Sequence, residues 1–177
     1  MHPLDADHVL RPVRTSDGAA LARAYAANRE HLAPWEPSRS DVFFTRAHQE
    51  QHVEQCLADV QAGRGYRFVI ESGDGEIRGR VNLNNVVRGA FWSADLGYWI
   101  DGRHTRRGLA RRAVALVSDH ARTELHLHRL QAATLLHNTA SQHVLTSDGF
   151  ERIGIAPQYL RIAGEWQDHV LFQRILV

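Results

Sequence analysis

The sequence has no lysine: all 21 basic side chains are arginine, set against 20 acidic ones for a formal charge of +1. That balance excludes the long-range basic field of a nucleic-acid binder or membrane-surface protein, so neither partner is expected and any anion site has to be local. Guanidinium groups also grip phosphates bidentately and keep their charge where a buried amine loses it. Cysteine is nearly missing. Cys56 stands alone and cannot form an internal disulfide, in keeping with a reducing, cytoplasmic setting. Long apolar runs are missing too: stretches such as 113–117 break within a few residues, far short of the ~20 needed to cross a bilayer. The opening MHPLDADH has neither the basic nor the apolar region of a secretory signal.

What is present fits one globular domain over residues 1–177. At 44% hydrophobic and 23% charged residues the composition is that of an ordinary folded protein. A chain of this length removes roughly 70% of its unfolded surface from water. No repeat, linker or abrupt charge shift divides it.

Residues 8–14 alternate as a strand, and Thr15, Ser16 and Asp17 offer N-cap oxygens for a helix from about Gly18 to Glu30. Residues 31–44, with two prolines and no period, read as an irregular loop. Thr45 caps a helix to about Ala62. Strands at 66–71 and 77–86 flank a hairpin turn at Ser72–Glu76. Residues 92–101 form a further strand, where Gly97 suggests a bulge. The most strongly periodic segment follows: Leu109, Ala113, Leu116, Val117, His120 and Ala121 share one helical face. A strand at 129–136 comes next, then a short helix from a Thr139 cap to Asp148, stopped by Gly149. Strands at 150–162 and 165–175 meet at Ala163-Gly164. The sum is an α/β (α+β) fold: a mixed, mostly antiparallel, twisted sheet of about seven strands flanked by about four helices.

The segment richest in chemistry is Gly102-Arg103-His104-Thr105-Arg106-Arg107-Gly108-Leu109-Ala110 between strand and helix. A helix N-terminus presents unpaired amides and the positive dipole end, and small residues let a phosphate come close. Arg103, Arg106, Arg107, Arg111 and Arg112 surround that point. By itself the pattern fits a solvated, capped helix equally well. Neither GxxxxGK[ST] nor a strand-borne GxGxxG occurs, which argues against a nucleotide hydrolase or dinucleotide fold.

These segments together resemble the GNAT superfamily of N-acetyltransferases, and within it the ribosomal-protein alanine N-acetyltransferase group. The motifs are LRPV, NREHLAPW at 28–35, GYWID at 97–101, RRGLA at 106–110, HNTAS at 137–141, SDGFERIG at 147–154 and WQDHV at 166–170. Each is short, but their order spans nearly the whole chain. The resemblance implies acetyl-CoA as co-substrate, its pyrophosphate held by Thr105, Arg106, Arg107, Gly108, Leu109, Ala110 and Arg111. It implies that Asn138 and Ser141 contact the pantetheine arm and the sulfur. A strand opened near Gly97 would free the amides of Tyr98, Trp99 and Ile100 for the pantetheine and the thioester carbonyl.

Three positions depart from the family pattern. Thr105 replaces the usual Gln or Arg three positions before the loop glycine, Ser141 stands where many superfamily members have a tyrosine, as is common in this subgroup, and Gln158 replaces an acidic residue that relatives often carry. The general base is therefore open: Asp95, Glu165, Asp168 and His169 are candidates, with Asp168 first. Ser141 is the expected proton donor to sulfur. Acceptor contacts are expected from Trp35, Glu36, Asp95 and Gln158, with Asp41 as a further carboxylate. The expected reaction is acetyl transfer to a protein or peptide N-terminal α-amine. Small or antibiotic amines are the alternative, as is a catalytically silent acetyl-CoA- or partner-binding domain. Either a monomer or a homodimer is compatible.

Twelve histidines raise a metal question. His48, His52 and Cys56 share a helix face, but ligands two turns apart lie ~12 Å from each other, so no metal is expected.

Overall fold

A computed structural model of the chain describes residues 1–176. Eight strands form one sheet: β1 (His2–Pro3), β2 (His8–Pro12), β3 (Tyr66–Ser72), β4 (Ile77–Val87), β5 (Ser93–Ile100), β6 (Arg129–Leu135), β7 (Glu151–Ile162) and β8 (Glu165–Ile175). The helices are α1 (Gly18–Ala27), α2 (Arg29–Leu32), α3 (Arg46–Gln61), α4 (Leu109–Thr123) and α5 (Thr139–Ser147). Spatial order is β1-β2-β3-β4-β5-β6-β8-β7. Every neighbouring pair is antiparallel except β5 and β6. The strand beyond the expected seven is β1, two residues held at His2–Leu10 and Pro3–Val9, too short to leave a periodic signal.

Alternation along the strands builds two cores. On β3, Phe68 and Ile70 join Val81, Leu83 and the α4 stripe of Leu109, Ala113, Val114, Val117 and Ala121. Val69 points the other way, to Leu21, Tyr25 and Val53 of α1 and α3 and to Trp99. Helices thus cover both faces, and a period of two in β3 serves both.

Several local expectations need correction. Asp17 does not cap α1; its carboxylate is committed to the Arg11 guanidinium and the Arg14 amide. The first helix stops at Ala27 because Asn28 turns its side chain back to the Ala24 carbonyl (2.9 Å) and accepts the Gly102 amide (2.9 Å). Residues 31 and 32 belong to α2, and Asp41–Phe44 form a 3-10 turn. Asn138 rather than Thr139 caps α5, accepting the Ser141 amide at 3.1 Å. Thr45 caps α3 through the His48 amide. Ala163 and Gly164 both have positive φ (51° and 89°), matching a two-residue turn that follows strand twist.

Gly97 carries no bulge. The β4–β5 ladder runs in register from Gly79–Ile100 to Asn84–Asp95 and breaks only beyond, between Asn84 and Val87. The opening of the sheet comes from the other side of β5. Strands β5 and β6 pair only at Ser93–Arg129, Ala94–Leu130 and Asp95–Gln131. Past that point β5 stays with β4 as far as Ile100, while β6 follows β8 as far as Leu135.

Candidate active site

The free edge of β5 borders a cleft of about 700 Å³. Tyr98, Trp99 and Ile100 line it from the sheet, and Thr105, Arg106, Gly108, Leu109, Ala110 and Arg111 from the loop and first turn of α4. From α5 and its cap come Asn138, Ala140, Ser141, His143, Val144 and Ser147, and from the segment around α2 come His31, Leu32 and Trp35. Backbone groups at the end of a strand ladder or a helix need partners, and both kinds converge here.

Gly108 starts α4 with φ 74°, a conformation open to glycine at little cost, and a Cβ there would stand 2.8 Å from Arg112 Nη1. Arg112 N to Gly108 O (3.1 Å) is the first helical bond, and no side chain caps the end, so the amides of residues 109–111 have no helical acceptor. Of the surrounding arginines, Arg103 is paired with Asp101 (2.7 Å) and Arg112 with Asp5 (3.3 Å). Arg106 and Arg111 line the cleft and have no carboxylate partner among the described residues. Arg107 does not line it; its carbonyl accepts from Arg112 Nη2 at 2.8 Å. Thr105 spends its hydroxyl on the Gly102 carbonyl.

At Ser141 the cleft holds a contact that sequence reasoning missed. Tyr98 Oη lies 2.8 Å from Ser141 Oγ and 3.1 Å from its carbonyl oxygen. Burial pushes the Tyr98 phenol up to about 12, although the Ser141 hydrogen bond pulls the other way. The phenol therefore stays protonated near neutrality. When Tyr98 donates to Ser141 Oγ, the serine hydroxyl proton is free to reach another acceptor in the cleft. Trp35, 38% exposed, packs against His137 of the turn before α5, the ring centroids 5.4 Å apart and the planes tilted by 38°.

The remaining candidates lie elsewhere. Glu36 lines a neighbouring cavity rather than the cleft. Asp95 accepts from Asn85 Nδ2 (2.8 Å), next to the β4 irregularity. Asp168 accepts the Gln158 amide (2.9 Å), and Gln158 has φ 46° where the β7–β8 register shifts between Ala156 and Leu160. Neither Asp168 nor Gln158 lines the cleft; the carboxylate fastens a bulge. His169 is buried, 2.9 Å from the Gln167 carbonyl. Of the lining residues that went unnamed, Ala140, His143, Val144 and Ser147 share a face of α5 at spacings of three and four, while His31, Leu32 and His104 come from the segments before α5. That spacing was the available signal.

On α3, His52 Nε2 sits 3.5 Å from Cys56 Sγ and 3.4 Å from Arg80 Nη1. Burial and then Arg80 push His52 down to about 4. A guanidinium occupies the neighbourhood a metal cation would need. Among the described residues, no three His, Cys, Asp or Glu side chains gather as a metal group. Nor is any described helix long and apolar enough to cross a membrane.

The acetyltransferase (GNAT) domain profile matches residues 8–151. The chain is similar to the ribosomal protein uS5-alanine N-acetyltransferase of Escherichia coli, with 35% identity over 164 residues, 92% of this chain and 84% of that protein. Ribosomal-protein-S5-alanine acetyltransferase from Vibrio fischeri has a similar structure, with a TM-score of 0.93 at 34% identity over 97% of both chains. RimJ of Mycobacterium smegmatis, solved in complex with CoA-disulfide, gives 0.89 at 36% identity, covering 99% of this chain and 90% of that one.

Proposed function

Because the chain belongs to the GNAT acetyltransferase family, we propose that it moves the acetyl group of acetyl-CoA to the α-amine of a protein or peptide N-terminus, of the ribosomal-protein class. The observation that carries this is the cleft joining an uncapped helix start to the unpaired edge of β5 and to Ser141. The left-handed Gly108 and the two cleft arginines without acid partners suit a pyrophosphate. Support also comes from the relatives, one solved with CoA-disulfide and others named for acetylating alanine of a ribosomal protein.

Acetyl-CoA, when bound, supplies an activated acetyl thioester. The amides at residues 109–111, with Arg106 and Arg111, hold its pyrophosphate. The free edge at Tyr98, Trp99 and Ile100 takes the pantetheine and offers an amide to the carbonyl oxygen, where charge grows during attack. Asn138 contacts the arm near its own cap. Ser141, steadied by Tyr98, gives a hydrogen bond to the sulfur as it gains charge.

Calorimetric titration with acetyl-CoA, repeated on Gly108→Glu, tests the cofactor reading. Micromolar affinity that the variant loses is expected, with thermal melts checking that the variant folds. A folded wild type that does not bind overturns it. Amine-dependent CoA release then sorts acceptors: release with an alanine-led peptide is expected, release with small amines alone redirects the acceptor class, and binding without release marks a silent domain.

A further inference from the structure

A second cavity of about 320 Å³ adjoins the cleft, and Leu32 lines both. Across the same boundary Trp99, in the cleft, donates its indole N–H to Tyr25 Oη, in the second cavity, at 3.1 Å. Among the described residues Glu36 is the one carboxylate that lines either space. Its amide is bonded to the Leu32 carbonyl (3.2 Å), which fixes it at that junction.

The Glu36 side chain is 22% exposed, and no hydrogen bond reaches its carboxylate among the described residues. The nearest cation, Arg39 Nε, stands 3.8 Å away, beyond hydrogen-bond length. A carboxylate drawn from water with its acceptor sites unused is costly unless a donor arrives. Arg39 itself lies against the Phe43 ring at 4.4 Å, and the other two cations nearby are engaged, Arg29 with Asp41 at 2.7 Å and the buried Arg80 with Tyr25 at 3.2 Å.

Resting on the acetyltransferase reading, we propose that the second cavity is the acceptor site and that Glu36 receives the acceptor's ammonium group and takes one proton from it. The freed nitrogen pair forms the C–N bond to the acetyl carbon while the C–S bond breaks, its electron pair leaving with sulfur. The proton still in excess on nitrogen ends on sulfur, and Glu36 returns its own to solvent. Burial raises the Glu36 carboxyl above its ordinary value, against the pull of Arg39 and Arg80, which suits it to hold a proton briefly.

The test compares wild type, Glu36→Gln and Glu36→Asp, with an alanine-led hexapeptide as acceptor. All three are expected to bind acetyl-CoA within twofold of each other. Glu36→Gln should lower kcat about a hundredfold at pH 7, recovering as alkali deprotonates the amine, and Glu36→Asp should restore part of the rate. Calorimetry of the peptide into CoA-saturated protein gives a readout without turnover, expected to weaken at least tenfold in Glu36→Gln. Glu36→Gln turning over and binding peptide within twofold of wild type would overturn the assignment while leaving the acetyltransferase reading intact. A wild type that binds acetyl-CoA yet releases no CoA with the peptide or with spermidine overturns both.

Discussion

Arg11 and Arg80 lie buried on the α1 and α3 side of the sheet, whereas Arg106 and Arg111 line the cleft where α4 begins. Arg11 makes two bonds to the Asp17 carboxylate (2.7 and 2.9 Å) and a third to Glu71. Its charge is matched inside the protein and has nothing left to offer. Arg80 is intermediate: it meets Tyr25 and Cys56 but no carboxylate, and its Nε has no partner. The cleft pair have water on one side and no acid on the other. The same residue type is thus structural where its donors are used up and available for a ligand where they are not.

The contrast is broken most forcefully at Asp17. Removing one member of a buried pair leaves an uncompensated charge, so Asp17→Ala is expected to cost about 3–5 kcal/mol of stability. Denaturant titration should show the midpoint falling at constant slope. A loss under about 1 kcal/mol would mean that Arg11 is rescued by Glu71 and that the pairing matters little. At the cleft the same kind of charge change should leave the fold alone. Arg111→Glu reverses an exposed charge and is expected to weaken acetyl-CoA binding about ten- to a hundredfold, roughly 1.4–2.7 kcal/mol, with the denaturation midpoint unmoved. Calorimetry in parallel with melts reads both. A shifted melt with unchanged affinity would put Arg111 among the structural arginines.

How much of this was written in the sequence differs by the range of the interaction. The α4 stripe, the Thr45 cap, the Ser72–Glu76 turn and the left-handed Gly149 depend on residues a few positions apart, and they are legible. Asn28 was not, because its side chain reaches Gly102, 74 residues on. The opening of the sheet was expected from Gly97. It arises instead where β5 and β6 follow different neighbours, a relation among four strands that no window of sequence contains. Ser141 was reachable from its spacing to Asn138, yet its contact with Tyr98 spans 43 residues and joins helix to strand. Asp168 drew notice through the WQDHV motif. Its carboxylate is directed by the shifted register of β7, which the motif does not encode.

Arg80 supplies the smallest and most selective test, through His52. The histidine is held down to about 4 by burial and then by Arg80, from an ordinary 6.5. Between those values the unfolded chain binds a proton that the folded chain refuses, so this residue's contribution to stability falls as pH drops from about 6.5 to about 4, and is fully present above. Glu36, raised in the fold, acts with the opposite sign near the lower end of the window, and His104 and His120, both lowered, act with the same sign as His52. A single profile therefore mixes several groups. The difference between wild type and His52→Gln isolates one of them. The variant is expected to lose part of the decline over pH 6.5–4 and to match the wild-type slope above pH 7. An unchanged slope would mean that His52 escapes Arg80 on protonation by turning toward water, so that the buried guanidinium imposes no penalty on its neighbour and the line between structural and available arginines runs closer to Arg80 than its burial suggests.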